Sequence, residues 1–133
     1  MIIKAKQGGI LNVASTAAFC SGPKMAAYYG SKAYVLNLTE AIHEEVKKDG
    51  IKVSCLCPGP VKTSFQAKAG IEKSEGAKKY LMEAKDVAKE GYKGFKKGKA
   101  IIVPGIKNKL LVNINKFAPR SIVRKIVLKT NEK

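Results

Sequence analysis

The run Gly9-Ile-Leu-Asn-Val-Ala-Ser15 decides the architecture. It is compact and apolar and ends on a small polar residue, the pattern of a buried strand that opens onto a site at its carboxyl end. A loop around Gly22-Pro23 follows. Residues 26–48 then lack Pro and place Ala33, Leu36, Ala41 and Val46 at helical intervals, with Gly50 as the stop. A second strand is predicted over Ile51 to Cys57, halted by Pro58-Gly59-Pro60. Thr63 to Gly76 mixes small and charged residues without a clear period and reads as a partly helical lid. Lys85 to Lys97 is predicted helical, and Gly98 separates it from a third strand at Ala100 to Val103. Strand, helix, strand, helix, strand is the rhythm of right-handed crossovers in a parallel sheet covered on both faces. Ligands of such sheets sit beyond the carboxyl ends of the strands. Ser15 and the segment Pro58 to Thr63 fall at two of those ends.

Composition narrows the class. A chain of 133 residues, 45% of them hydrophobic, has the size of one small domain with its own core. The formal charge of +16 comes almost wholly from lysine, since Arg120 and Arg124 are the only arginines among 26 cations. Bidentate reading of phosphates and bases favours arginine, and no aromatic ladder is interleaved with the lysines, so nucleic acid is not expected as a partner. The lysines read as a solvated surface. Cys20, Cys55 and Cys57 lack zinc-site spacing and read as buried reduced thiols, which suits a cytoplasmic protein. His43 is the sole histidine, too few for a histidine metal cage or hydrolytic triad, and is expected at the surface or a subunit contact. No apolar run approaches the roughly 20 residues that cross a bilayer.

Tyr28 and Lys32 are four residues apart near the start of the predicted helix, so their side chains share a face one turn apart. A phenol ordinarily ionises near pH ~10, and a neighbouring ammonium favours its anion, which makes such a pair a general acid/base. Tyr29, three before Lys32, would also reach it. Ser15 at a neighbouring strand end could hold a carbonyl oxygen while the proton moves.

Taken together, Asn12-Val-Ala-Ser15, Tyr28-Tyr-Gly-Ser-Lys32 and Pro58-Gly-Pro-Val-Lys-Thr63 resemble, in order and spacing, the three carboxy-half motifs of the short-chain dehydrogenase/reductase family. The resemblance implies a partial Rossmann-like, doubly wound parallel α/β sheet of about three strands, with flanking helices and a C-terminal helical tail. Residues 1–106 would form the catalytic segment and 107–133 the basic amphipathic tail. It further implies an NAD(P)-dependent oxidoreductase acting on a small carbonyl or alcohol, with NADP favoured. Tyr28, not Tyr29, falls on the family's proton-donor position. Lys32 would be its partner and a ligand of the nicotinamide ribose, and Ser15 the hydroxyl that orients substrate. Pro58, Gly59, Val61 and Thr63 would lie along the nicotinamide, and no metal is implied.

The family's glycine-rich phosphate turn and its Asn-Ala-Gly segment have no counterpart in these residues. Gly94 to Gly98-Lys99 follows a helix, not a strand, is one residue short of a phosphate loop, and has Ala100 where Ser or Thr belongs. The chain is therefore expected to be a truncated or separately encoded carboxy-terminal half. On that expectation it binds nicotinamide weakly alone and exposes an unpaired strand edge that aggregates or pairs with a homo-oligomeric or amino-half partner. The tail packs over the substrate cleft, with attachment to an anionic membrane surface, and so a peripheral location, as the alternative. A second function class is an inactive fragment serving as an interaction or membrane-associated module. The substrate itself has no legible code.

Overall fold

The computed structural model describes residues 2–5, 8–63 and 81–132. After a single helical turn, α1 (Ile2–Ala5), come β1 (Gly9–Val13), a 3-10 turn (Thr16–Phe19), α2 (Ala26–Val46), a second 3-10 turn (Lys47–Asp49) and β2 (Lys52–Leu56). β3 (Val61–Lys62) and β4 (Met82–Glu83) are short, and α3 (Ala84–Lys96), β5 (Ile101–Ile102), α4 (Ile106–Phe117) and α5 (Arg120–Asn131) complete the described order. The expected lid beyond Thr63 lies outside the described residues.

β1, β2 and β5 form a parallel sheet in that spatial order, so β2 is central and β1 is an edge of the described sheet. β3 and β4 make a separate parallel pair that periodicity does not reveal, because two residues are too few to show alternation. The three predicted strands exist but are shorter than the apolar runs that announced them. Ala14 and Cys57 continue the pairing as single hydrogen bonds, to the Leu56 carbonyl and from the Cys57 amide to the Ile102 carbonyl, each at 2.8 Å.

Successive residues of β2 serve opposite faces, as a pleated strand requires. Cys55 and Cys57 pack with Ala14, Ala18 and Leu36 under α2, whereas Leu56 packs with Val87 and Ile102 under α3. The sheet is thus covered by a helix on each side. α2 is long because nothing in it breaks helical hydrogen bonding before Gly50, which caps its trailing turn in the left-handed region at φ 74°.

Buried polar groups clamp α2 to the sheet. Asn12 Nδ2 donates to Thr39 Oγ1 at 3.0 Å, and that hydroxyl donates to the Val35 carbonyl at 2.6 Å. His43, expected at the surface or a subunit contact, is buried within the fold instead, with Nδ1 2.6 Å from the Val53 carbonyl. A carbonyl only accepts, so this bond places the proton on Nδ1 and satisfies a polar ring that burial would otherwise penalise. On the opposite face Gly91 and Gly94 let α3 approach closely. A Cβ at either would fall 2.9 Å from Leu56 or 2.7 Å from Ile102, so this glycine pair is a helix–sheet contact and not a phosphate loop.

The thiols give the first expected result. Cys55 and Cys57 have no solvent exposure, and Cys57 is pushed far above the ordinary thiol range, first by its hydrogen bond to the Cys55 sulphur, 3.7 Å away, and then by burial. Burial also raises half-buried Cys20. A raised thiol pKa means less thiolate at a given pH, and the thiolate is the reactive form. Iodoacetamide at about pH 8 should therefore label native chain slowly and only at Cys20, with the rate climbing as pH rises. Mass spectrometry showing Cys55 or Cys57 modified at the rate of an unfolded chain would contradict this packing.

Candidate functional site

Ser15 stands where β1 hands over to the 3-10 turn. Its extended backbone makes it the N-cap, and Oγ accepts the Ala17 amide proton at 3.1 Å. A serine oxygen that accepts one bond still has its own proton to donate. The next amide, Thr16, donates to the Pro58 carbonyl at 2.9 Å. That bond joins the two strand ends, so the structure brings Ser15 and the Pro58-Gly59-Pro60 turn onto one rim.

The turn is held from outside as well. Met82 donates its amide to the Pro60 carbonyl at 3.1 Å, and Asn108, tethered by its own Nδ2 to the Pro104 carbonyl at 2.9 Å, packs against the turn at Gly59. A Cβ at Gly59 would meet Asn108 Oδ1 at 2.5 Å, so the close seat of Asn108 requires glycine. Asn108 carries no recognisable motif, and only its place in space shows that it braces the rim. Val61 lies half-buried in β3 beside the α3-side cluster, and Thr63 is exposed.

Tyr28 and Lys32 lie on the first turns of α2. Lys32 Nζ sits 5.7 Å from the centre of the Tyr28 ring, over its face. Tyr28 is 43% exposed, and its hydroxyl forms no hydrogen bond with Ser15, Lys32 or any other described residue. Tyr28 and Ser15 are thus not joined by a hydrogen bond in this structure. Tyr29 is occupied otherwise. Its ring fills the space a Cβ at Gly22 would need, and it lies half-buried beside Asn131, while burial raises its pKa above the ordinary phenol value. Asn131 donates to the Pro23 carbonyl at 2.9 Å, and Glu132 pairs with Lys24 at 3.6 Å, so Tyr29 belongs to a latch between α5 and the loop preceding α2.

A cavity of about 770 Å³ opens on the Tyr29 flank of α2, bounded by Phe19, Tyr29, Ala33, Asn115 and Val123. Neither Ser15 nor Tyr28 lines it. Among the described residues no cluster of His, Cys, Asp and Glu could hold a metal, and no helix is long and apolar enough to cross a membrane.

The donor set suits part of a nicotinamide dinucleotide. An ammonium at Lys32, an exposed hydroxyl at Thr63 and the backbone of a close-packed turn offer hydrogen-bond partners for a ribose and a carboxamide. A pyrophosphate cradle is not among the described residues.

Residues 1–74 match the sequence profile of the short chain dehydrogenase family. A bifunctional ribulose 5-phosphate reductase/CDP-ribitol pyrophosphorylase of Haemophilus influenzae is 41% identical over 87 residues, which are 65% of this chain and 18% of that protein. A (+)-borneol dehydrogenase of Salvia officinalis is 42% identical over 65 residues, 49% of this chain and 23% of its own. The matches thus span about a fifth of the length of these relatives. Among solved structures, that of a 7beta-hydroxysteroid dehydrogenase superimposes with a TM-score of 0.82 at 21% identity, covering 95% of this chain and 49% of that one. A Sphingobium yanoikuyae short-chain dehydrogenase in complex with NADPH gives 0.68 at 24% identity, covering 79% of this chain and 40% of that one.

Proposed function

The chain belongs to the short chain dehydrogenase family, and from that premise we propose that it carries the proton-transfer half of a nicotinamide-dependent oxidoreductase acting on a small carbonyl or alcohol. The observation that carries the reading is the pairing at the start of α2. Lys32 lies one turn from Tyr28 with its ammonium over the ring, while the ring of the competing Tyr29 is packed against Gly22.

In this reading a bound nicotinamide supplies or takes the hydride. Tyr28 gives its hydroxyl proton to the carbonyl oxygen. Lys32 places a positive charge beside the phenol, which stabilises the negative charge left on its oxygen. Ser15, its Oγ fixed by the Ala17 amide, donates a hydrogen bond to the same carbonyl oxygen, keeping its proton, and holds that oxygen in line. Lys32, Pro58, Gly59, Val61 and Thr63 would hold the nicotinamide ribose and carboxamide. NADP is the favoured form. Structures of related fold contain NADPH, NADP or NAD.

The test is carbonyl-dependent oxidation of NADPH and NADH, followed by absorbance over a panel of aldehydes and ketones, with Lys32→Ala alongside the native chain. Because the phosphate turn is not among these residues, turnover is expected only at cofactor concentrations well above those that saturate ordinary dehydrogenases. Lys32→Ala should lower turnover by about a hundredfold. Absence of turnover across the whole panel at high cofactor, or equal turnover in the variant, would remove the reading.

A further inference from the structure

The two C-terminal helices turn apolar side chains away from the protein. In α4, Val112 is buried and Asn108 and Asn115 are half-buried, so that side faces the fold. Ile106, Leu110, Ile114 and Phe117, spaced four, four and three apart, share the opposite side and are 83%, 60%, 53% and 88% exposed. A surface helix ordinarily does the reverse, with its apolar stripe against the core. In α5 Val123 is buried, while Ile122 and Ile126 are exposed beside Lys125 and Lys129. The expected packing of this tail over a substrate cleft accordingly does not cover these residues.

Charge shows what would cover them. Every charged side chain from Lys107 to Lys129 is a cation, and the acid that follows, Glu132, pairs with Lys24 at 3.6 Å. Lys109 and Lys116 run along one flank of the α4 stripe, Lys109 also reaching Glu90 at 3.9 Å. A second copy of a chain with net charge +16 would set lysine against lysine across this face. An anionic lipid surface meets both features at once. Apolar side chains enter the boundary between headgroup and acyl chain, and flexible lysine stems carry their ammonium groups to the phosphates.

We propose that the outward faces of α4 and α5 dock the protein in the plane of an anionic membrane, through Ile106, Leu110, Ile114, Phe117, Ile122 and Ile126 and the lysines beside them. Docking requires no transmembrane helix and is independent of the proton-transfer chemistry.

Flotation of the full chain with vesicles of phosphatidylcholine alone, or mixed with phosphatidylglycerol, tests this. Binding to the mixed vesicles should be at least about tenfold tighter and should weaken as salt is raised. Ile114→Ser with Phe117→Ser should lower it by about tenfold, and Lys125→Glu with Lys129→Glu should remove the preference for anionic lipid. These side chains are exposed, so circular dichroism and melting should remain those of the native chain and separate lost docking from lost folding. Absence of binding, equal binding to neutral vesicles, or binding undiminished by the two serines would each overturn the proposal. So would comparable affinity for polyglutamate, or a lipid-free dimer in sedimentation velocity that the serines dissolve, since these assign the face to an acidic partner or a second copy.

Discussion

Tyr28→Phe is expected to lower carbonyl turnover by about 10²- to 10⁴-fold while leaving the melting temperature unchanged. The substitution removes one oxygen atom, and that oxygen has no hydrogen bond among the described residues to lose. The ring and its contact with Lys32 remain. Tyr29→Phe should behave in the opposite way. It removes a half-buried hydroxyl that lies beside Asn131, next to the contact between α5 and the loop before α2, at a cost of about 1 kcal/mol of stability with turnover nearly retained. Stopped-flow turnover and thermal unfolding of the two variants distinguish an oxygen that reacts from one that holds the fold. Native turnover in Tyr28→Phe would take the phenol out of the chemistry. A collapse of turnover in Tyr29→Phe at unchanged stability would move the role to its neighbour.

Gly9→Ala and Gly30→Ala should shift stability in opposite directions. Gly9 opens β1 opposite Lys52, and a Cβ there would collide with the Lys52 backbone carbonyl and meet the Phe95 ring at 2.7 Å. A strand carbonyl cannot swing aside as a side-chain tip can, so the first rung of the β1–β2 ladder must open or Phe95 must leave its seat. Overpacking of this kind costs about 1–3 kcal/mol, which in a domain of this size lowers Tm by several degrees. Gly30 lies within α2, and a Cβ there meets nothing within 4 Å. Alanine in that position should stabilise by about 0.5–1 kcal/mol, because it restricts the unfolded chain and favours helix. Denaturant melts giving the same sign for both would show that the space around one of these glycines is not as described.

The order of elements and the position of the rim were legible without coordinates, and the reason is periodicity. Apolar runs bounded by Gly50, Pro58-Gly59-Pro60 and Gly98 announce strands and helix ends through local sterics alone, and such signals survive whatever surrounds them. The ends of the strands were less legible. Ser15 reads as the last residue of a strand, yet its side chain caps the following turn, a competition between ladder and cap that only the geometry resolves. His43 was misread for a related reason. A lone histidine near the end of a lysine-rich helix looks exposed, and the carbonyl of Val53 that draws it inward belongs to a strand its own neighbours do not predict.

By itself, then, the sequence determined that this is an α/β chain with parallel strands, that Ser15, Tyr28, Lys32 and the Pro58 turn are set at intervals matching one catalytic pattern, and that its surplus charge is carried by lysine. Those properties depend on spacing along one chain, which the sequence contains in full. Tertiary structure decided that Tyr29 serves the latch, that Asn108 braces Gly59, that Gly9 is crowded where Gly30 is not, and that the stripe of α4 faces outward. Each of these depends on which distant residue arrives beside it, and burial depends on all the neighbours together.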